Sequence, residues 1–420
     1  MSGYNEFIMP KRIVITGLGI LASNGKGREE YWKALREGKP GYDAITLFET
    51  DEFLVDQAGE IPDFDATVYM GKKGLRTLDR STRILVSASK LAIADTGFEI
   101  TEKNTNRLGV SVGTTLGSVK SIADFDMVTL TEGPRYVNPA LFPNTVINSP
   151  ASQVSIWNNI KGFNNTLASG FTTSIDAMQY AVDQIELDQA ELVFAGGVEE
   201  MCSYTFWGFH ALKFLSGSVE GQPFVNCPFD KRRNGITFGE GAMLMAMEDY
   251  KQAKARKARM MAEVASFGYE FDPFRINRYN PRGTGLKGSM QKALDNAGMS
   301  PKDIDCIFAN ANSTQAADRI ESMIIKDVFG EYGKKVPVTA IKSMTGECYS
   351  VSGAVAVAAA LGAMTEGFIP PTINYKEPDP ECDLNIVANK AVKADLKNVL
   401  VVNFSPSGAN MCMILKRVKD

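Results

Sequence analysis

The stretch ELVFAGGVEE at residues 191–200 carries the pattern that decides the fold, because a short apolar run ends there in a glycine turn. Continuous apolar runs of this length, closed by glycine or polar residues, are typical of strands buried on both faces. We therefore predict a buried strand here. Seven further runs share the pattern and are predicted as strands: RIVITGLG (12–19), RLGVSVGTT (107–115), AMLMAMEDY (242–250), MMAEVASFGY (260–269), DCIFANANS (305–313), VPVTAIKS (336–343) and VLVVNFSPSG (399–408).

The segments between these strands have the periodicity of helices. Ile175, Met178, Val182 and Ile185 lie three or four residues apart, as the buried face of a helix requires, and residues 352–364 are rich in alanine. Strands that alternate with helices favour an α/β protein whose mixed, mostly parallel sheets are covered by helices.

The chain is longer than most chains that fold around a single hydrophobic core, which favours two packed halves. The late strands GAMLMAME (241–248) and GANMCMILK (408–416) resemble each other, as a duplicated fold would lead us to expect. We place the two halves at residues 10–255 and 256–420. Since no low-complexity linker separates them, we expect them to pack as one unit.

The composition excludes several classes of function. Hydrophobic residues make up 44% of the chain and charged residues 22%, and no apolar run is long enough to cross a bilayer. A net charge of −4 argues against sequence-independent binding of nucleic acid. The first residues, MSGYNEFIMPKR, lack the apolar core of a secretion signal. We therefore expect a cytoplasmic protein with no membrane and no nucleic-acid partner.

The six cysteines are scattered along the chain, with no C-x-x-C pair and no histidine spacing suited to zinc. This distribution is typical of reduced cysteines in a core. We expect no metal site and no cofactor.

Seven runs, in the same order and at similar spacing, resemble the β-ketoacyl synthase family of fatty-acid and polyketide assembly. They cover both halves: KRIVITGLGILASNG (11–25), EGPRYVNPALFPNT (132–145), ELVFAGGVEE (191–200), PFDKRRNGITFGEGA (228–242), IKSMTGE (341–347), IPPTINY (369–375) and NFSPSGAN (403–410). The resemblance implies a thiolase-like fold, in which duplicated halves stack as five α-β-α-β-α layers. It also implies a dimer that works on acyl chains carried by acyl carrier protein.

Condensation in this family needs a thiolate at a helix N-terminus and a pair of imidazoles, with a lysine nearby. Against that pattern, Phe171 stands at the cysteine position, Asn310 at the first histidine and Glu347 at the second, while Lys342 is retained. The whole chain holds one histidine, His210, which lies in an aromatic run and cannot supply a pair. We therefore expect no catalytic residue and no condensing activity in this chain alone.

The substituted positions allow more than one interpretation. Phe171 either fills the site of a decayed enzyme or closes the acyl entrance, and both put a phenyl ring where an acyl-cysteine would lie. Glu347, as a carboxylate in an apolar cleft, must pair or take up a proton, and we favour an ion pair with Lys342 over a catalytic acid. Asp318 and Glu321 match family positions and would join the same network.

Five residues are candidates for the wall of an acyl tunnel. The helix that begins at Leu116 resembles the family segment crossing the dimer interface, which makes Leu116, Val119 and Phe125 candidates, with ordinary core or interface packing as the alternative. In the loop NFSPSGAN, Phe404 is retained, whereas Pro406 replaces the second phenylalanine of the family's mobile loop and fixes φ there.

An intact fold with an emptied site fits one branch of the family, the chain-length factor, or ketosynthase β, of type II polyketide and aryl-polyene systems. This interpretation predicts a heterodimer with an active ketosynthase α, in which this subunit supplies the far wall of the tunnel and limits chain length. Two alternatives stay open: a priming subunit that decarboxylates malonyl-carrier protein, and a homodimeric acyl-binding scaffold. Acyl carrier protein is the further partner, and a basic cluster at residues 72–83 or 231–233 would steer it unless these are ordinary solvated surface.

Overall fold

The computed structural model describes residues 11–419. Residues 1–10 and 420 lie outside this range. The expectation drawn from MSGYNEFIMPKR therefore falls almost wholly outside the described residues, as do the outermost positions of the two predicted halves.

Strands form at each of the eight runs that the sequence predicts, which confirms those predictions. The strands of the described range are β1 Ile13–Ala22, β2 Gly25–Lys26, β3 Asp43–Ala44, β4 Gln57–Ala58, β5 Leu108–Gly113, β6 Asn164–Leu167, β7 Leu192–Glu199, β8 Gly241–Asp249, β9 Ala262–Phe271, β10 Cys306–Phe308, β11 Pro337–Thr339, β12 Phe368–Ile369, β13 Asn385–Ile386, β14 Val392–Lys393, β15 Asn398–Phe404 and β16 Ala409–Lys416. Strand β6 was not predicted, because its sequence NNTL is mostly polar.

Helices form at both segments with helical periodicity, as α6 and α12. The α-helices of the described range are α1 Arg28–Glu37, α2 Thr67–Met70, α3 Arg80–Thr96, α4 Val119–Thr131, α5 Ser149–Asn158, α6 Thr173–Glu186, α7 Ser203–Ala211, α8 Tyr250–Ala255, α9 Thr284–Ala297, α10 Gln315–Phe329, α11 Lys342–Thr345 and α12 Ser352–Glu366. Two short 3₁₀ segments, Gly170–Thr172 and Tyr349–Val351, lead directly into α6 and α12.

The main sheet runs in the order β13-β11-β10-β15-β16-β9-β1-β8-β7-β5-β6, with β2 paired to β1. Its central pairs, such as β16-β9 and β1-β8, are antiparallel, because each half returns its last strand beside its first. Parallel pairs, such as β10-β11 and β5-β6, occupy the two outer parts. The predicted mixed sheet is confirmed, but parallel pairing does not extend through its middle.

The strand order is symmetric about the contact between β1 and β9, since β1-β8-β7-β5-β6 on one side matches β9-β16-β15-β10-β11 on the other. The late strands whose sequences resemble each other, β8 and β16, hold equivalent places in this order. The boundary between residues 255 and 256, which follows the end of α8, stays a prediction.

Helices fill three layers around the two parts of the sheet. Between the two parts lie α6 and α12, whose apolar side chains share one core with β1, β8, β15 and β16. The outer face of the first part is covered by α3 and α5, and that of the second by α9 and α10. The alanine-rich α12 packs closely there because its side chains are small. The layering brings the start of α6 and the loop before α12 together at the centre of the molecule.

The cysteines are all buried and unpaired, which confirms the prediction of core cysteines. Burial raises the pKa of the Cys412 thiol to about 12, so this group stays protonated. Within residues 11–419, no helix is both long and apolar enough to span a membrane.

Candidate functional site

Phe171 lies in the 3₁₀ turn at the N-terminal end of α6, which agrees with its predicted place at the cysteine position of a helix N-terminus. Gly170 adopts φ +80°, and a side chain at this position would lie 3.0 Å from the hydroxyl oxygens of Ser405 and Ser407. Only glycine takes this conformation readily in so little space. The turn therefore directs the side chain of residue 171 into the interior, where Phe171 is 1% exposed.

Aromatic rings surround Phe171. The ring of Tyr349 meets it edge to face with 4.7 Å between centroids, and Tyr349 in turn contacts Phe209 at 5.5 Å. The ammonium of Lys342 lies 5.9 Å from the Phe171 centroid, within the range of a cation–π contact. Tyr349 was missed by the sequence analysis, since nothing in its local pattern signals a contact with a residue so distant in the chain.

Lys342 is buried and binds two of the substituted positions. Its Nζ donates to Oδ1 of Asn310 at 2.7 Å and to Oε2 of Glu347 at 2.8 Å. Lys342 is 3% exposed and Glu347 1%. The predicted ion pair is thus confirmed, and the side chains of Phe171, Asn310, Lys342 and Glu347 meet at one point.

The oxygens of Glu347 have further partners. Oε2 also accepts a hydrogen bond from Nδ2 of Asn312 at 3.0 Å, and Oε1 accepts one from the hydroxyl of Ser352 at the start of α12. A buried carboxylate with a cation and several donors is stabilised as a charged group. Both carboxylate oxygens of Glu347 are thus hydrogen-bonded, which indicates a structural role for this side chain.

The two asparagines of the site are likewise engaged within the described residues. Nδ2 of Asn310 donates to the carbonyl oxygen of Phe404 at 3.3 Å, while its Oδ1 accepts from Lys342. Oδ1 of Asn312 accepts from the hydroxyl of Thr314 at 2.8 Å. The amide groups therefore stabilise the site rather than point to open space.

Asp318 and Glu321 lie beneath the site but do not bind Lys342 directly. Oδ1 of Asp318 accepts the backbone N–H of Asn312 at 3.0 Å, and Oε1 of Glu321 accepts that of Asn310 at 2.7 Å. Burial raises the pKa of Asp318 to about 6 and that of Glu321 to about 8. Their role in this structure is to hold the backbone that presents the two asparagines.

The loop that carries Phe404 and Pro406 closes the space on the other side of Asn310. Phe404 is 2% exposed, and its ring meets Tyr279 at 5.4 Å. The cavity beside Phe404 holds about 10 Å³, which is space for about one water molecule. The carbonyl oxygen of Pro406 accepts the backbone N–H of Arg278 at 3.0 Å, which ties the loop to its neighbour.

The sequence matches one known family over most of its length. Residues 10–253 match the family described as Beta-ketoacyl synthase, N-terminal domain, and residues 261–376 match the Beta-ketoacyl synthase, C-terminal domain. The chain belongs to the β-ketoacyl synthase family.

Individual β-ketoacyl synthases agree with this assignment along the whole chain. The 3-oxoacyl-[acyl-carrier-protein] synthase 2 of Coxiella burnetii is 34% identical over 98% of this chain and 99% of its own. Among solved structures, the ishigamide ketosynthase/chain length factor has a TM-score of 0.90 at 32% identity, over 98% of this chain and 100% of that one. A type II PKS acyl-carrier protein in complex with its ketosynthase has a TM-score of 0.88 at 26% identity, over 98% and 100%. The thiolase-like fold is thereby confirmed.

In this β-ketoacyl synthase fold, the tunnel candidates do not form one cluster. Leu116 packs with the aromatic cluster that includes Phe209, whereas Phe404 and Pro406 lie beyond Asn310. The helix begins at Val119, so Leu116 lies in the turn before α4 and not within the helix as expected. The ring of Phe125 meets that of Phe142 at 6.1 Å. Their tunnel role stays a prediction.

Helix α4 leaves a broad apolar face uncovered. Within α4, all of which is described, no residue is buried. Exposed apolar residues of α4 and of the two 3₁₀ segments that follow it, Pro134–Tyr136 and Pro139–Thr145, are Ile122, Met127, Leu130, Tyr136, Leu141 and Phe142. Exposed apolar side chains in this number are typical of surfaces that bind other proteins. The polar edge strand β6 ends the sheet, and on that edge it pairs with no other strand of residues 11–419.

Both basic clusters are less solvated than the sequence suggested. Arg80 is held by the buried Glu240, with 2.8 Å between Nε and Oε2. Arg233 is 2% exposed and donates to Asp379 at 2.5 Å. Charges that are close in sequence thus turn inward to a buried carboxylate, that of Glu240, or to a half-buried one, that of Asp379, and only part of each cluster is surface.

Glu199, at the end of β7, holds the turn that carries Leu116. Its carboxyl accepts hydrogen bonds from the hydroxyl of Thr114 at 2.7 Å, the N–H of Leu116 at 3.1 Å and the hydroxyl of Ser350 at 2.9 Å. Burial raises the pKa of Glu199 from an ordinary 4.5 to about 7, against the effect of these donors.

Replacing Glu199 with glutamine should remove part of the pH dependence of stability. Below pH 4.5 this carboxyl is protonated in the folded and the unfolded chain, whereas the folded chain must bury a carboxylate once the pH rises through about 7. The contribution of Glu199 to the free energy of unfolding is therefore lost as the pH rises. The loss is about 1.4 kcal/mol for each tenfold difference in proton affinity between the folded and the unfolded chain. In thermal melts across this pH range, the stability of Glu199→Gln relative to the wild type should increase as the pH rises. Glu132→Gln serves as a control for the loss of charge alone. Parallel curves for wild type and Glu199→Gln contradict the expectation.

Proposed function

We propose that this chain is a chain-length factor, a non-condensing subunit that pairs with an active ketosynthase and shapes the space into which the acyl chain grows. The observation that carries the proposal is that Lys342 binds both Asn310 and Glu347, next to Phe171. Condensation needs a thiolate and imidazoles at this point, whereas this chain has a phenyl ring, an amide and an ion-paired carboxylate there.

Hydroxyl groups near the site offer no substitute nucleophile. The hydroxyl of Ser169 donates to Asp176, and that of Thr172 donates to the same carboxylate at 3.1 Å. A hydroxyl is activated by an adjacent base such as imidazole. The one imidazole, that of His210, instead accepts the backbone N–H of Leu54 at 3.2 Å on the far side of α7.

A decarboxylating role finds less support in the contacts. Loss of carbon dioxide from a malonyl group leaves an enolate, which needs hydrogen-bond donors aimed at its oxygen. Asn310 and Asn312 each use one of their two side-chain N–H groups toward Phe404 or Glu347, so at most one N–H of each amide is left for an enolate oxygen. We therefore favour a structural role over a priming one.

The apolar face of α4 and the open edge of β6 support pairing with a second ketosynthase-like chain. A structurally similar protein is named the ishigamide ketosynthase/chain length factor, and another structure holds an acyl-carrier protein with its ketosynthase. By analogy we infer a ketosynthase partner for this chain, and acyl carrier protein as the donor of acyl groups to the pair.

Coexpression with an active ketosynthase from the same organism tests the proposal. We expect an obligate heterodimer that uses malonyl-loaded carrier protein to build acyl chains of a defined length. The ketosynthase alone should give no product or products of other lengths, and this chain alone should not become acylated. A stable homodimer that leaves the ketosynthase unaffected supports the scaffold, and acylation of the isolated chain overturns the proposal.

Replacing Leu116 with tryptophan should shorten the products of the heterodimer. The larger side chain would take up volume on the partner-facing side of the aromatic cluster, where we place the end of the tunnel. Mass spectrometry of carrier-bound products measures the change. Ile156→Trp, at a position that is 68% exposed on α5, serves as the matched control. Product lengths that stay the same in Leu116→Trp remove Leu116 from the tunnel.

A further inference from the structure

One side of helix α4 packs on the rest of the chain, and the opposite side is open. On the inner side, the hydroxyl of Ser121 donates to the carboxylate of Asp79 at 3.3 Å, and the ring of Phe125 meets that of Phe142. An α-helix completes a turn in about 3.6 residues, so the residues of the opposite side form a continuous outer stripe. The members of the outer stripe are Val119, Ile122, Ala123, Asp126, Met127 and Leu130. The outer stripe is therefore apolar at every position but one.

Asp126 is the one charged residue of the outer stripe. Its side chain is exposed and forms no hydrogen bond or ion pair with residues 11–419. The other carboxylate in the middle of α4, that of Asp124, lies on the flank and is paired with Lys120 at 2.6 Å. Asp126 lies one turn after Ile122 and one turn before Leu130. A chain that covers these two apolar side chains must therefore also cover a free negative charge.

A carboxylate that is covered in this way needs a compensating charge from the chain that covers it. Charged residues are depleted at the centre of protein interfaces, because an unpaired ion there loses its hydration and gains no partner. An opposite charge on the covering chain compensates the carboxylate and also fixes how the two chains are aligned. Asp126 therefore specifies the occupant of the outer stripe, which is an apolar surface with a lysine or arginine facing this carboxylate.

A second copy of this chain does not meet this requirement with its own outer stripe. In a two-fold dimer the same patch of each chain faces the other, so a second copy would bring another Asp126 and no cation from its stripe. The next cation along the chain, Arg135, follows α4 in the 3₁₀ segment Pro134–Tyr136 and is not part of the stripe. A chain of related fold and different sequence is free to carry a cation at the facing position.

We propose that a ketosynthase partner covers the outer stripe and places a lysine or arginine against Asp126, and that this ion pair favours the heterodimer over a dimer of identical chains. The inference rests on the function proposed above, which supplies the partner, and it adds the chemistry by which that partner is recognised. Asp126 acts in recognition of the partner chain and takes no part in the reaction.

Exchange of a fluorescent copy of this chain into the purified heterodimer tests the ion pair, because the exchange rate reports dissociation of the two chains. Asp126→Asn keeps the shape of the side chain and removes its charge. We expect it to dissociate at least about 30-fold faster, as a buried ion pair that loses one partner implies. Asp124→Asn removes a carboxylate that already has a partner within this chain, and it should change the rate less than about fivefold. Far-UV circular dichroism checks that each variant remains folded.

Charge reversal identifies the partner residue and separates this ion pair from the proposed function. Asp126→Lys should prevent assembly on coexpression, and changing one lysine or arginine of the ketosynthase to glutamate, each tested in turn, should restore it. If Asp126→Asn exchanges at the wild-type rate, or if no such change restores assembly, the ion pair is refuted while the heterodimer stands. If the wild-type chain forms no complex with the ketosynthase, the proposed function itself fails. A homodimer that Asp126→Asn weakens to the same extent would place a second copy on the stripe and overturn the proposal.

Discussion

Replacing Lys342 with methionine should lower the free energy of unfolding by about 3–5 kcal/mol, the range for a buried ion pair that loses one partner. The carboxylate of Glu347 is 1% exposed, so without the ammonium it would be left as an uncompensated charge in the interior. Asn310 would lose the donor that engages its Oδ1. Urea unfolding followed by tryptophan fluorescence measures the loss.

Two controls separate this charge effect from loss of packing. Lys342→Met combined with Glu347→Gln removes both charges and should be more stable than Lys342→Met alone, because no unpaired charge remains. Lys120→Met breaks the pair with Asp124, whose side chains are 58% and 52% exposed, and should cost less than about 1 kcal/mol. A double variant no more stable than Lys342→Met would show that the pair itself is not what stabilises the site.

Replacing Phe171 with alanine should destabilise the protein by about 3–5 kcal/mol, as large-to-small changes of buried phenylalanine do. The ring is 1% exposed and fills the space between Tyr349 and Lys342, so its removal leaves a cavity at the centre of the molecule. The loss of the cation–π contact adds to the effect. Thermal and urea unfolding measure the change.

A comparison of positions makes the Phe171 result specific. Phe274→Ala removes a ring that is 43% exposed and should cost far less. Phe171→Leu retains most of the apolar volume and should lie between Phe171→Ala and the wild type. A loss in Phe171→Ala as small as that in Phe274→Ala would mean that the surrounding side chains collapse into the space, and that Phe171 does not support the site.

Local sequence patterns were enough to predict the strands and the central helices. Apolar runs closed by turn residues, as at 191–200, determine their own backbone conformation, and the spacing of Ile175 and Met178 does the same for α6. The ion pair between Lys342 and Glu347 was also predictable, because the two residues lie only five positions apart, at the start of α11 and just after its end. In each case the decisive contacts are between neighbours in the chain.

Features that depend on distant residues could not be predicted in this way. Strand β6 has a polar sequence and forms because its backbone pairs with β5. Arg233 reads as part of a basic surface run but is buried against Asp379.

The amino-acid sequence by itself determined that this member of the β-ketoacyl synthase family has no cysteine at position 171 and a single histidine in the chain. These are statements of composition, and no arrangement of the fold changes them. Only the tertiary structure decided what fills the emptied site: Tyr349 against Phe171, and Asn310 with Lys342. The physical reason is that these contacts join residues far apart in the chain, and they form only when the two parts of the sheet close on α6 and α12.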